Sequence, residues 1–257
     1  MAATPFISLQ EPTNLDAYDS KLDHSQQSGI PKTFLDAMEV REKVFVEEQK
    51  VPLENEFDSD DHRSCHWVVY ASINTTTEPE KTDEEGNILQ RQKSHTISQP
   101  IGTIRLVPFP HTPHPEPGST WAPSSPSTGT STPPYIIDRA TTLHDGREPY
   151  IKLGRLAVLK EFRGSGIAKL LTNAAMTWAR ENPTYFNPSI AEMGMDKLGA
   201  SSLEELPVWK GLVCVHAQEQ VIKTWERWGF ELDEGMGRWD EEGIMHVGMF
   251  CRLPVEV

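Results

Sequence analysis

Residues whose types and spacing could do chemistry gather at three places in the chain. The first is a turn, Arg163-Gly164-Ser165-Gly166-Ile167-Ala168, between an apolar run ending at Leu159 and a second one starting at Ile167. A glycine-rich turn feeding a helix start collects unpaired backbone N–H groups and the positive end of the helix dipole. That combination suits a phosphate or pyrophosphate, with Arg163 as an added charged donor; glycines also serve a plain tight strand–helix connection. The second place is His216, at the end of the apolar run Leu212–His216. An imidazole titrates at about pH 6.5 and can take or give a proton, and it also commonly serves as a hydrogen-bonded strand end. The third is an acidic stretch, Glu47, Glu48, Glu54, Glu56, Asp58, Asp60 and Asp61, followed by His66. Most of such a run is a solvated face, but one or two of its carboxylates could reach a pocket and bind an ammonium or a polyol. Arg105 and Arg155 sit inside apolar runs. Buried arginines need partners, either carboxylates of the chain or an acidic group on a ligand.

Two phosphate-binding arrangements fail on the residues of the turn. A P-loop ends in Gly-Lys-Ser/Thr, whereas Gly166-Ile-Ala-Lys169 runs on into Leu170 with no hydroxyl for magnesium. A dinucleotide-binding turn needs a third glycine where Lys169 stands. The formal net charge of −14 argues against nucleic acid or an anionic membrane as a non-specific partner. No apolar run approaches the length of a membrane span, and the N-terminus lacks the pattern of a signal peptide. Cys65, Cys214 and Cys251 are few, odd in number and far apart. Neither a disulfide framework nor a metal site is therefore expected, and the cytoplasm, or else the nucleus, is the default compartment.

The elements that must position these groups follow from pattern. Cys65–Ile73 and Ile101–Val107 read as strands, being short, β-branched or aromatic and bounded by polar residues. Pro31–Glu48 reads as a helix with Leu35, Met38 and Phe45 on one face. Tyr150–Leu159 reads as a strand, and Ile167, Leu170, Leu171, Ala174, Ala175 and Trp178 follow helical spacing. Leu212–His216 is a strand, and Val221, Ile222, Trp225 and Trp228 mark a second helix that Gly229 would end as a left-handed cap. Phe230–Leu232 and Met245–Leu253 are expected to form a hairpin across Asp240–Gly243. Two polar insertions interrupt the pattern, residues 74–99 and the Pro/Ser/Thr-rich 108–149, and both read as loops. The alternation of strand and helix gives a single α/β or α+β domain over 1–257.

The flanking motifs carry a resemblance. Arg163-Gly-Ser-Gly166-Ile-Ala168 is similar to the acetyl-CoA signature of the GNAT superfamily of N-acetyltransferases. Val44-Phe-Val-Glu-Glu-Gln49 with Val51-Pro52, Glu56, Asp58, Asp61 and His66 resembles the first helix and acidic loop of a bacterial and fungal GNAT subgroup. Leu153-Gly-Arg-Leu-Ala-Val158 resembles its central strand, and Val215–Gln218, Trp225–Phe230 and Gly243–His246 its C-terminal end. The likeness covers most of Lys32–Pro254 outside the insertions. It implies a mixed, mostly antiparallel sheet that splays where the coenzyme lies, flanked by helices. It further implies that the backbone of Leu156, Ala157 and Val158 meets the pantetheine, and that Arg163, Gly164, Ser165, Gly166, Ile167 and Ala168 hold the pyrophosphate. Gln218 stands where the family often has an Asn contacting the cofactor. Trp225 occupies the position of the Tyr that commonly acts as general acid, and an indole cannot usefully release its proton.

The activity implied is transfer of acetyl from acetyl-CoA to a primary amine. Such an amine, with a pKa of about 10.4, is neutral in only about one molecule in 10³ at pH 7, so a base is needed. His216 is the candidate, at a spacing where some amino-sugar members place a catalytic carboxylate. Glu48, Glu56, Asp58, Arg105 and Arg155 are the candidate acceptor contacts. The expected acceptor is a small amine, first an amino sugar such as glucosamine. The alternatives are a protein lysine or N-terminus, or a catalytically silent acyl-CoA-binding module. Relatives of this kind often form homodimers.

Overall fold

The computed structural model describes residues 5–78, 81–82, 88–90, 93–121, 137–187, 198, 202 and 206–256. A nine-stranded sheet forms its centre, in the order β1 (Phe6–Gln10), β2 (Cys65–Glu78), β5 (Lys93–Val107), β7 (Ile151–Val158), β8 (Leu212–Gln218), β11 (Ile244–Arg252), β10 (Arg238–Glu241) and β6 (Thr120–Trp121). The ninth strand, β9 (Glu231–Leu232), pairs with β11 off this path, and β3 (Lys81–Thr82) with β4 (Ile88–Gln90) forms a separate ribbon. Every pairing in the large sheet is antiparallel except β7 with β8 and β10 with β6.

Strand periodicity sets two faces. Trp67 and Val69 of β2, with Ile104 of β5 and Leu153 of β7, join the core that buries Leu171, Ala175 and Ala179 of α2 (Ile167–Glu181). Val68 and Tyr70 turn the other way, onto Ala37 of α1 (Lys32–Arg41). The central strands are therefore covered on both sides, which is why they read as nearly continuous apolar runs.

The expected helix over Pro31–Glu48 runs from Lys32, with Pro31 as its extended N-cap, and its second half, Glu42–Glu48, is a π-helix. The N–H of Gln49 reaches back five residues to the carbonyl of Val44, at 3.1 Å. Within α1, ahead of that turn, Phe34 and Met38 are buried and Leu35 is partly buried beside them, whereas Phe45, inside the turn, packs in a separate cluster with Val40 and Val44. Single π turns inside helices often sit at functional sites, and this one carries Phe45, Glu48 and Gln49 into the cavity wall described below.

Other expectations shift as well. Residues 74–99 are not a plain loop: β2 and β5 continue into them as a paired ladder, from Asn74 opposite Thr96 to Glu78 opposite Lys93. The 108–149 segment is anchored at both ends, by β6 and by the buried His111, His114 and His144; its middle, 122–136, lies outside the described residues. The hairpin across Asp240–Gly243 joins β10, not β9, to β11. The second C-terminal helix is brief, α3 (Ile222–Glu226) after a 3₁₀ turn, and Gly229 follows it at φ +90°.

Candidate active site

The parallel strands β7 and β8 pair at Ile151–Val213, Lys152–Cys214 and Leu153–Val215, and then part. Beyond that point β7 stays with β5 and β8 stays with β11, so Arg155–Val158 has a neighbour strand on one side only. A bulge between Thr103 and Arg105 re-aims β7 at the place of parting. Arg155, at its centre, has φ +49°, a conformation that a residue with a Cβ adopts only under constraint.

The constraint is a buried ion network. Arg155 donates to Asp58 at 2.9 Å and lies 3.4 Å from Glu56. Asp58 also takes Arg105 at 2.7 Å, and Asp61 is held between Arg41 at 2.7 Å and Arg105 at 2.8 Å. Arg41 closes the ring on Glu56 at 2.5 Å, with both side chains buried. Burial alone would raise the Asp61 carboxyl, but the guanidiniums of Arg41 and Arg105 outweigh it and hold Asp61 well below the usual carboxylate range. Asp58 is lowered in the same way, its desolvation offset first by Arg105. The partners of the two strand arginines are thus carboxylates of the acidic loop. Glu56 is fully committed to this network and borders a smaller neighbouring cavity, whereas Asp58, Arg105 and Arg155 also border the main one.

The parted strands enclose a cavity of about 480 Å³. Leu153–Val158 form one wall and His216–Gln218 the other, with Trp225, Arg163 and Ala168 towards α2. On the opposite face of the sheet the wall is completed by Thr112, Trp121, Lys152, Glu241 and His246. Gln218 donates to the side chain of Gln49 at 2.9 Å, linking β8 to the π turn. Trp225 is nearly buried, edge-on to Trp228 and Phe230, so it serves the core as much as the cavity.

The turn at the N-terminus of α2 is open. Gly164 and Gly166 have φ of +78° and +86°, and a Cβ built on either would meet nothing within 4 Å. Arg163, Gly164, Ser165 and Gly166 are exposed, and no side chain caps the helix, so its first N–H groups face outward. The Ser165 hydroxyl donates instead to the carbonyl of Phe162. Arg163 donates through Nε to the Val158 carbonyl at 3.0 Å and pairs in a two-pronged fashion with Glu48, at 2.7 Å for each prong. Glu48 therefore stands over the turn. An unpaired strand edge leading to uncapped helix donors, with an arginine beside them and no Cβ in the way, fits a pantetheine arm and its pyrophosphate.

His216 borders the cavity with its Nε2 buried and without a partner. Burial, then the nearby Lys152 charge, pushes its pKa well below 6.5, so the ring is neutral at physiological pH. His246 lies on the next strand, opposite Gln218, and pattern alone gives it a structural role. Its Nδ1 lies 2.9 Å from the Ile244 carbonyl, which can only accept, so Nδ1 carries a proton and Nε2 is the ring position left for a proton acceptor. Around His216 the 108–149 segment brings a further set of imidazoles. His111 donates to the Tyr150 carbonyl at 2.8 Å, and His114 meets His144 at 3.1 Å. Among the described residues no group of three or more His, Cys, Asp or Glu is arranged to hold a metal ion. Trp121, Thr112, Lys152 and Glu241 are not legible as site residues, since none belongs to a motif, and His246, inside the Gly243–His246 motif, is read there only as structural.

Comparison with known proteins agrees with this geometry. The sequence profile of the acetyltransferase (GNAT) family matches residues 38–187, more than half of the chain. Similar solved structures include an N-acetyltransferase, so described, from Lactobacillus plantarum (18% identity, 97% of this chain and 98% of that one covered, TM-score 0.49). They also include an acyl-CoA N-acyltransferase from Pseudomonas aeruginosa (15%, 96% and 99%, 0.47) and Escherichia coli ElaA (14%, 96% and 100%, 0.46). A profile match over more than half of the chain, taking in β7 and the uncapped glycine turn that starts α2, makes this chain an acyltransferase of the GNAT family.

Proposed function

We propose that the protein is an acetyl-CoA-dependent N-acetyltransferase acting on a primary amine of a small molecule. The observation that carries this reading is the continuity of the notch between β7 and β8 with the open turn at Gly164–Gly166. Leu156, Ala157 and Val158 would hold the pantetheine through their backbone, and Arg163–Ala168 the pyrophosphate, with Gln218 and Trp225 at the side. Bound there, acetyl-CoA supplies an activated thioester, so that a C–N bond forms as a C–S bond breaks and the proton lost by the amine balances the one gained by the thiol.

The chain's own residues bind and orient the amine and handle its proton. His216 takes the proton as a neutral imidazole, and its depressed pKa makes it a relay that passes the proton on rather than a store. His246, with Nε2 free, is the adjacent group able to receive it. Trp225 donates at most a hydrogen bond, and the thiol, with a pKa of about 8.5, leaves without a dedicated acid. The enclosed volume suits a small acceptor better than a protein tail; an amino sugar falls within that class. All three cysteines are free thiols, which suits the reducing cytosol or nucleus.

The test is coenzyme A release across a panel of amino sugars, polyamines, amino acids and lysine peptides. Turnover of a small amine supports the reading. Turnover of peptides alone would favour a protein acetyltransferase, and tight acetyl-CoA binding with no turnover would leave only a binding module.

A further inference from the structure

The charges around the cavity do not cancel within the chain. Four cationic side chains border it: Arg105, Lys152, Arg155 and Arg163. Arg105 and Arg155 hold Asp58, and Arg163 holds Glu48. Four carboxylates border it too: Glu48, Asp58, Asp60 and Glu241. The first two are taken by those arginines, and Asp60 is held by Arg63 at 2.9 Å. Once these pairs are removed, one cation and one anion remain among the described residues, Lys152 and Glu241. Among the described residues neither side chain has a hydrogen-bond or ion-pair partner, and one oxygen of Glu241, Oε2, is buried and unsatisfied.

Half-buried charges without partners are unfavourable, and a native structure keeps them where something else completes them. The two sit on different strands of the acceptor wall. Lys152 projects from β7 beside Cys214 and His216 of β8, on the face away from α2; Glu241 ends β10, opposite Trp121 of β6. Among the described residues no carboxylate lies within ion-pair distance of Lys152. Among the titratable groups that feel its charge, His111, His114 and His216 are held neutral by burial first and by the Lys152 charge second or lower in order, and burial keeps the Cys214 thiol protonated. Its positive potential therefore extends into the open cavity.

We infer that the acceptor is amphoteric: an amine that also carries a carboxylate or phosphate, its ammonium received by Glu241 and its acid group by Lys152. The inference rests on the acetyltransferase reading of the same cavity and narrows its substrate class. An amino sugar belongs to that class when it bears an acid group, and plain glucosamine does not. Glu241 would orient the ammonium and lower the free energy of bringing it in from water, while the imidazoles take its proton. Lys152 would anchor the acid end and so fix how the amine is presented.

The test pairs acceptors that differ only in the acid group: amino acids of increasing chain length with their decarboxylated amines, and phosphorylated amino sugars with the free sugars. The acid-bearing member of at least one pair should be favoured at least tenfold in kcat/KM. Lys152→Met should erase that preference, by raising KM for the acid-bearing acceptor, and leave acetyl-CoA affinity as it was. Lys152→Arg should restore most of it, which a merely structural lysine would not require. Whether acid-bearing acceptors are carboxylates or phosphates is settled by which pair shows the preference. Equal turnover of both members of every pair, or a preference that survives Lys152→Met, overturns the inference while leaving the acetyltransferase reading intact. No turnover of any amine, with acetyl-CoA still bound, overturns both.

Discussion

The two ends of the cavity are built on different principles. The end against α2 is made of backbone: a strand edge without a neighbour, a helix start without a cap, and glycines that keep side chains out of the way. The end on the opposite face is made of side chains, His216, His246, Lys152, Glu241 and Trp121, drawn from five strands between Thr120 and Arg252. Backbone recognition constrains only a few residue types, so the strand beside it remains free to pack its side chains into the core. Side-chain recognition constrains each residue singly, and it can change without disturbing the fold. What joins the ends is the network of Arg41, Glu56, Asp58, Asp61, Arg105 and Arg155, which fixes the bulge between them.

That joint is where the contrast can be broken most severely. Asp61→Ala leaves Arg41 and Arg105 buried with one partner fewer, and removing one member of such a group destabilises by about 3–5 kcal/mol. Chemical denaturation should show that loss, together with weaker binding at both ends as Arg155 relaxes. A loss of under about 1 kcal/mol would mean the network does not set the bulge. Gly166→Glu acts on the backbone end alone. A side chain forced into φ +86°, with a carboxylate beside the phosphate site, should weaken acetyl-CoA by at least about 100-fold, roughly 2.8 kcal/mol. Unchanged affinity by calorimetry would move the phosphates elsewhere.

His216→Ala acts on the other end alone. It should lower kcat by about 10²-fold, the low end of the range for acid–base groups, with acetyl-CoA affinity unchanged. Wild-type turnover would remove His216 from the chemistry.

A pH series sharpens the contrast further, because buried imidazoles lie on the side-chain face. Burial pushes His66 and His114 down to about 4, and His111 and His216 well below 6.5. The unfolded chain therefore takes up protons at about pH 6.5 that the folded chain refuses. Stability contributed by these rings is complete above pH 6.5 and is lost as pH falls towards 4, by up to about 1.4 kcal/mol per pH unit for each ring. Melting temperature should fall steeply between pH 6.5 and 5, and a flat profile would contradict the burial. The smallest effect belongs to the exposed pair of Glu48 and Arg163. Surface pairs contribute about 0.2–1 kcal/mol, so Glu48→Gln should free Arg163 and tighten acetyl-CoA by up to about fivefold, less at high salt.

The same division explains what the sequence makes legible. The turn at Arg163–Ala168 and the strand before it are readable because backbone recognition leaves a local signature of glycines and spacing. The partners of Arg105 and Arg155 are readable as a need, since buried guanidiniums demand carboxylates, but not as identities. Lys152 and Glu241 leave no trace, because two isolated charges on different strands come to border one cavity only through strand pairing. β1 (FISLQ) is missed as a short edge strand, and β10 (RWDE) because charge hides its alternation. The ladder extending β2 and β5 is polar along its length and so carries no period-2 apolar signal. The π turn is missed for another reason: its sequence, EKVFVEE, is that of an ordinary helix.

Three parallel pairs are a slender weld for so large a sheet. On one side stand β1, β2, β5 and β7; on the other, β8, β11, β10, β9 and the small β6, which the chain sends across from the first group to the second. Such a seam divides the molecule into two cooperative blocks, and amide hydrogens along it should exchange before those in the interior of either block. A ligand lying in the notch supplies hydrogen bonds where a strand would otherwise have been. On the proposed function, acetyl-CoA would act as a removable rung between the blocks, slowing exchange in β7 and β8 together when it arrives and releasing both when it leaves.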